Sequence, residues 1–483
     1  MLRKKTINVF LLPVIVISLL SLVNAGCRKD EINKDSSFHL SFSSDTVVFD
    51  TVFTSIGSQT QRLMVRNSSN QRVVISSVKL AGGSASPFRI NIDGEAAFEV
   101  NDLEIGAKDS AFIFVKVTID PNQQNNPLIA TDSILFETNG NFQNVKLVAW
   151  GQDAHFFNHD TLNGDITFTA DKPYVIYGML VADSLCKINI EPGAKIYFHN
   201  NSGLLIKNGA SIVVNGTLED PVLFRSDKLG VDGQKLTDQW IGIEIEGGSS
   251  GNRFTYADIQ NGKVGILLDA SELSVEPRLI LYNTVINNMV NYGLLSIQSN
   301  VWVLNCRITN CGGYTVALEG GSYDFRNCTL SNYWNESGRH YPSLLLGNNF
   351  YDQKGTLIAS PLLNAYFGNC ILTGNNEDEI EQDSMANVGF QFSFDHCLVQ
   401  SNLYKSHSSS FTACKFNEDA KFVDPIKGYF ELDTLSPAKD NASLSIIQNA
   451  PYLFPLTYDL KGTLRVGNDA GPDIGVYERI ESK

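Results

Sequence analysis

Between Arg278 and Asn332 apolar and polar positions alternate, and the alternation restarts on a fixed period. The phrases read RLILYNTVINN, NVWVLNCRITN and SYDFRNCTLSN, with Thr284, Cys306 and Cys328 at the same place in each, 22 residues apart. Alternation of period two writes a strand with one face buried. Strands repeating at about 20–30 residues predict a solenoid whose coils stack. Extending the register gives an interior position occupied by Ala257, Thr284, Cys306, Cys328, Cys370 and Cys397. A free thiol packs as a small hydrophobe, and no consistent basic or polar company marks these sulfurs as reactive or metal-binding. Four residues on stand Asn261, Asn288, Asn310 and Asn332, with Gly374 and Ser401 replacing Asn later. Asn tolerates left-handed backbone, so these predict a ladder at a coil corner.

The rest of the chain is also β-patterned. From Phe38 to Gln152, runs such as QRLMVRN, QRVVISSVKL, SAFIFVKVTID and FQNVKLVAWGQ are separated by Gly, Asn, Asp and Ser at close intervals. That spacing predicts an antiparallel sandwich. From Tyr174 onward, Gly-punctuated short strands such as Ile190–Ile196 and Leu205–Ile212 lead into the coils. The interval from Cys328 to Cys370 spans 42 residues and allows one extra coil or a loop.

Charge changes the picture of partners. The 483 residues carry 52 acidic against 37 basic side chains, net −15. Such a surface repels phosphate backbones, so no nucleic-acid partner is expected, and polyanionic polysaccharides are disfavoured. The N-terminus reads as an export signal: Arg3, Lys4 and Lys5, then an apolar run from Ile7 to Val23 that is too short to span a bilayer. Leu22-Val23-Asn24-Ala25-Gly26-Cys27 resembles a bacterial lipobox, with Asn24 where Leu is usual. The resemblance implies acylation of Cys27, palmitate included, and an outer-membrane anchor. Arg28-Lys29-Asp30-Glu31 resembles the export signal of Bacteroidota-type lipoproteins, which implies the extracellular face. Of eight cysteines, the seven after Cys27 are expected to form few or no disulfides.

Two further resemblances concern the fold. Leu63-Met64-Val65-Arg66-Asn67, Phe88-Arg89-Ile90, Val115 to Pro121 and Val145 to Gly151 resemble Ig-like domains of the ASPM–SPD-2–Hydin type. That likeness implies a spacer or docking module without catalytic residues. Near the C-terminus, Ser436-Pro437-Ala438-Lys439-Asp440, Asp459 to Arg465 and Asp473-Ile474-Gly475-Val476-Tyr477-Glu478 resemble the closing segment of bacterial right-handed parallel β-helix proteins. There it implies a terminal cap, with Asp459 and Arg465 pairing inside it. The expected fold is therefore all-β: signal peptide 1–26, tether 27–36, Ig-like β-sandwich 37–153, right-handed parallel β-helix 154–430 and C-terminal cap 431–483.

Candidate chemistry is sparse. His155 and His159 lie at a domain junction where helical spacing has little support, so no metal site and no cofactor are expected. Arg253, Arg278, Arg307 and Arg326 recur about once per coil and would form an outward basic row able to bind an acidic sugar or balance the acidic surface. Glu377, Asp378, Glu379, Glu381 and Asp383 read as a solvated acidic loop. Glu244, Glu246 and Asp258 lie near coil faces, but hydrolysis needs two carboxylates at a defined separation, and the sequence does not pair them. No Ser-His-Asp, Cys-His or phosphate-loop pattern stands out. In the long interval, Tyr333, Trp334, Tyr341 and Tyr351 are candidates for stacking on sugar rings; the alternative is that they pack the loop onto the coils. The expected function is a non-catalytic, surface-exposed lipoprotein binding a glycan or cell surface through its β-helix. The alternatives are a polysaccharide lyase or glycoside hydrolase, and a structural adhesin with surface-protein partners.

Overall fold

The computed structural model describes residues 31–480 except 54–56, 93, 120–127, 230–235, 405–408, 452 and 468–469. The export signal and Cys27 lie outside the described residues. The chain divides into two compact units, Met1–Gln152 and Asp153–Lys483.

The first unit is an Ig-like sandwich of two five-stranded sheets, antiparallel except for the parallel pair Thr46–Phe53/Asn141–Gln152. One contains Gln61–Arg66, Phe88–Ile92 and Ser110–Val117; the other contains Thr46–Phe53, Val73–Leu80, Leu128–Thr138 and Asn141–Gln152. Inward positions such as Leu63, Ile75, Ile113, Phe136 and Leu147 meet in one core. Asn67 is buried for a backbone reason: its Nδ2 donates to the carbonyls of Gln71, Ile105 and Gly106, which tie the turn to the neighbouring strand. The described end of the expected tether is not free. Asn33 N donates to Arg72 O, and Asn139 Nδ2 donates to Asn33 O, so residues 31–36 lie against the sandwich.

The second unit is a parallel β-solenoid with three faces per coil. One full coil shows the plan: Gly242–Ile245 on the first face, Asn252–Thr255 on the second and Ala257–Gln260 on the third. The first two faces form a continuous 17-stranded sheet and the third an 11-stranded one. His155–Asn158 is the first rung of the third face, pairing in parallel with Tyr174–Tyr177. Parallel pairing lets like residues stack, so Phe325, Phe367, Phe394 and Phe411 pile up at 4.9, 4.6 and 4.9 Å between centroids.

The small-residue ladder lies inside, as expected, and extends to Cys414. The residue before each member takes left-handed backbone: Asn283, Asn305, Asn327 and Asn369 have φ of 52, 54, 51 and 51°. At such a corner the carbonyl two places before the ladder residue still accepts a backbone N–H from the neighbouring coil: Asn283 N donates to Leu304 O and Asn305 N to Arg326 O. The side chain that follows adds a second donor: Cys306 Sγ donates to Leu304 O, and Cys328 Sγ to Arg326 O and Val303 O, all at 3.2 Å. The hydroxyl of Thr284 makes the same pair of contacts, to Tyr282 O and Phe254 O. The position therefore selects a small side chain and accommodates one donor, although Ala257 fills it with none. All seven described cysteines are free and buried. Burial pushes the Cys306 thiol up, and that of Cys311 up to about 12.

The 42-residue interval holds one coil with two insertions, since Thr329 pairs directly with Ile371. One insertion is the loop 333–343; the other is the hairpin Asn349–Tyr351/Leu357–Ala359. Three expectations are corrected. The acidic stretch is not a loop throughout: Ile380–Asp383 is a first-face strand. Glu379 is buried, held by both Arg339 guanidinium nitrogens and by Ser343 N and Oγ at 2.8 Å. The arginines form no exposed row. Arg278 is buried against Ser249 O, Asp269 O and Ser299 Oγ; Arg307 and Arg326 donate to Gly428 O and Asn449 O of the C-terminal segment.

That segment is the third correction: it is a strap along the flank of the coils, where a cap over their end was expected. Ile447, Phe454 and Leu456 pack on Leu304, Ile280 and Trp302, and Phe430, Leu460 and Val476 pack against Tyr333 and Val285. The second and third faces carry these apolar side chains outward, and the strap removes them from water. It also completes the corner: Asn369 Nδ2 donates to Ser443 O, and Gly475 N to Asn369 O. Its acidic and basic residues fasten it from within. Arg465 pairs with Glu478 at 2.6 Å and donates to Asn305 Oδ1 at 2.7 Å, while Asp459 accepts from Lys461, Thr463 and Glu478 N–H groups.

Candidate functional site

The strap leaves the outer surface of the first face uncovered. Register fixes what stands there. Leu267, Leu295, Ala317, Leu345 and Glu381 form one outward row. Ile297, Glu319, Gly347 and Asp383 form the next. Along the other margin stand Tyr292, Tyr314 and Tyr341, one from each of three successive turns of the chain. Tyr292 and Tyr314 stack at 6.2 Å between centroids with planes 13° apart, and Tyr341 lies 5.0 Å from Tyr314. The result is an apolar floor with tyrosines on one side and carboxylates on the other.

Corner geometry explains why Tyr292 faces out, whereas Tyr314 is only 8% exposed, its ring enclosed by Tyr292 and Tyr341. A Cβ on Gly293 would fall 2.4 Å from Ile308 Cγ2 and 2.6 Å from Thr315 O. Only glycine lets the chain turn so tightly, and Tyr292, just before it, is left outside. Tyr314 Oη reaches Glu381 Oε2 at 2.7 Å, two rungs further on, and links the two margins. Burial and this bond to a carboxylate raise the phenol above its usual range. Glu319 is half-buried, and burial followed by the charge of Asp383 pushes its carboxyl up to about 7. Two rungs, about 9.6 Å of sheet, separate their backbones, and Gly347 between them contributes no side chain. Further down, burial, with Asp269 and Glu246 adding repulsion, also raises Glu244.

Of the four aromatic candidates from the long interval, the structure brings one to this face. Tyr341 closes the tyrosine row and is 50% exposed. Tyr351 is 69% exposed on the hairpin. Tyr333 is turned inward against Phe422 and Phe430 of the strap. Trp334 is 5% exposed, with Nε1 donating to Ser337 Oγ at 3.0 Å. Neither presents an open ring, because their loop packs onto the coils. His155 sits in a strand beside Asp171 at 3.4 Å and stacks on Tyr174. Among the described residues no group of three or more His, Cys, Asp or Glu could hold a metal ion. Asp258 is held by Gln260 Nε2 on the third face, away from Glu244 and Glu246. Tyr292, Tyr314 and Glu319 were missed by sequence reasoning. The signal was present in the 22-residue offset between the two tyrosines, just outside the strand phrases.

A family comparison agrees with the solenoid fold of the second unit. Residues 184–330 match the family described as the right handed beta helix region. No curated protein matches the chain. Among solved structures, the complex of XylC with xylose is 10% identical over 90% of this chain and 90% of that one, with a TM-score of 0.28. The catalytic unit of the GH87 alpha-1,3-glucanase from Streptomyces thermodiastaticus is 9% identical over 74% of this chain and 89% of that one, TM-score 0.24. The ASH/PapD-like domain of human CEP192 is 10% identical over 25% of this chain and 89% of that one, TM-score 0.17. The chain spans 30% of the length of a family 123 glycoside hydrolase from Clostridium perfringens that it also matches.

Proposed function

We propose that the protein is an exported surface lipoprotein, anchored in the outer membrane through Cys27, whose β-helix binds a neutral glycan along the tyrosine-and-carboxylate face. The tyrosine row carries this reading. It sets one ring per coil, with centroids 6.2 and 5.0 Å apart, close to one sugar unit of an extended chain. The accessible rings of Tyr292 and Tyr341, with Tyr314 packed between them, take the C–H side of a sugar, the leucine floor takes the rest, and carboxylates accept hydroxyl hydrogen bonds strongly. The acid margin disfavours anionic glycans, in keeping with the net charge of −15.

Titration with linear neutral oligosaccharides tests the reading. Tyr292→Ala with Tyr341→Ala should weaken saturable binding at least tenfold; unchanged binding sinks the proposal. Failure of every glycan while pull-downs recover a surface protein would favour the adhesin. For the anchor, Cys27→Ser should move the protein from the membrane fraction to the soluble one.

One observation favours a second reading, glycoside hydrolysis. Glu319, raised to about 7, has the character of a proton donor, and Asp383 stands on the far side of the gap left by Gly347. Inverting hydrolases set their carboxyls about 6.5–9.5 Å apart. Release of reducing ends, abolished by Glu319→Gln while binding persists, would establish it.

A further inference from the structure

A second groove lies on the third face, between the strap and the loop 333–343, with a volume of about 550 Å³. Its floor is made of amides from successive coils, Gln260, Asn287 and Asn310 among them; Tyr429 of the strap and Trp334 of the loop form opposite walls. Both walls are fastened. Arg307 Nη1 donates to Gly428 O at 2.7 Å and Asn310 Nδ2 to Pro425 O at 3.4 Å, while Tyr333 N donates to Asn310 Oδ1.

The amides are held so that complementary groups remain. Gln260 Nε2 donates to both Asp258 oxygens at 2.7 Å, which leaves Oε1 without a partner among the described residues. Asn287 Oδ1 accepts from Thr309 Oγ1 at 2.9 Å, which leaves its Nδ2 donors in the same state. Gln260 and Asn287 are paired neighbours on adjacent rungs. An acceptor and a two-hydrogen donor therefore stand on adjacent rungs, whose backbones are about 5 Å apart, beside the ring of Tyr429, which is 53% exposed. Hydroxyls that both donate and accept complement this pair, whereas a carboxylate or phosphate satisfies only the donor.

We infer that this groove is a second saccharide site, taking two to three units of a neutral glycan through its vicinal hydroxyls, independent of the first face. Calorimetric titration of the full chain with linear hexasaccharides of glucose, xylose and mannose tests it. The wild type should take up two equivalents of at least one. Gln260→Ala with Asn287→Ala should remove one equivalent and leave the one that Tyr292→Ala with Tyr341→Ala removes. Tyr429→Ala, on the exposed strap, should weaken the groove alone about tenfold and guards against misfolding of the amide variant. If the first face binds nothing, a single equivalent lost on the amide changes still supports the groove. The inference is overturned if no hexasaccharide binds at millimolar concentration. It is also overturned if uptake is unchanged by both the amide and the Tyr429 substitutions, or if an extended peptide competes more tightly than the sugars.

Discussion

Cys328 offers a direct measure of what the interior ladder requires. Its sulfur is fully buried between Cys306 and Cys370 and donates to Val303 O and Arg326 O at 3.2 Å. Cys328→Ala removes one buried heavy atom, costing about 1 kcal/mol of transfer free energy. The remaining void, about 20 Å³, adds roughly 0.5 kcal/mol. Loss of the one S–H donor at a corner carbonyl adds about 0.5–1 kcal/mol, so the sum is close to 2 kcal/mol. Cys328→Ser keeps the donor in the role Thr284 already fills two coils earlier, and should cost within about 1 kcal/mol. Cys328→Leu overfills a position bounded by two backbones and should cost about 3 kcal/mol. Urea unfolding followed by circular dichroism gives the totals. Amide exchange at Arg307–Cys311 and Thr329–Ser331 shows whether the loss is local, as nearest-neighbour stacking requires. An alanine variant as stable as wild type, or a serine variant worse than leucine, would refute the account of the corner.

Three further outcomes follow from the geometry. Arg465→Met leaves Glu478 and Asn305 facing an empty buried site; breaking such a pair costs about 3–5 kcal/mol, and the strap should become the first segment cut in limited proteolysis. For Glu319 the folded carboxyl sits near 7, above its ordinary 4.5, so the native state holds its proton more tightly than the unfolded chain. Stability is full below about pH 4.5 and falls as pH rises through 7; Glu319→Gln should flatten the melting temperature across that window. Gly293→Ala drives a methyl into Ile308 and Thr315 O and should cost about 2–3 kcal/mol, whereas Gly338→Ala, whose nearest neighbour is 3.6 Å away, should cost well under half of that.

The solenoid was legible because the coils carrying Thr284, Cys306 and Cys328 have no insertions, so one buried position recurs undisturbed. Cys414 escaped because its coil has only 17 residues after Cys397. The candidate face was hidden for a physical reason: outward positions are not forced to repeat. Glu319 and Asp383 share their row with Ile297 and Gly347, and Tyr341 reaches its row through an inserted loop. The strap was recognised by its Asp459, Arg465 and Asp473 motifs, but motifs made of internal hydrogen bonds do not say which surface the segment covers. Tyr333 and Trp334 illustrate the same limit, since aromatic rings in a long insertion serve equally to anchor it.

The strap also sets the order in which the molecule can mature. Neighbouring coils find each other across about two dozen residues, a short-range search that can proceed as the chain emerges. Arg465 must reach Asn305 across 160 residues, and Pro455 must meet Tyr282 across 173. Such distant closures are slow, so the greasy flank of early coils stays wet until the strap has been made and docked. A half-built stack would then need shielding, and clipping between residues 430 and 476 would expose that flank again.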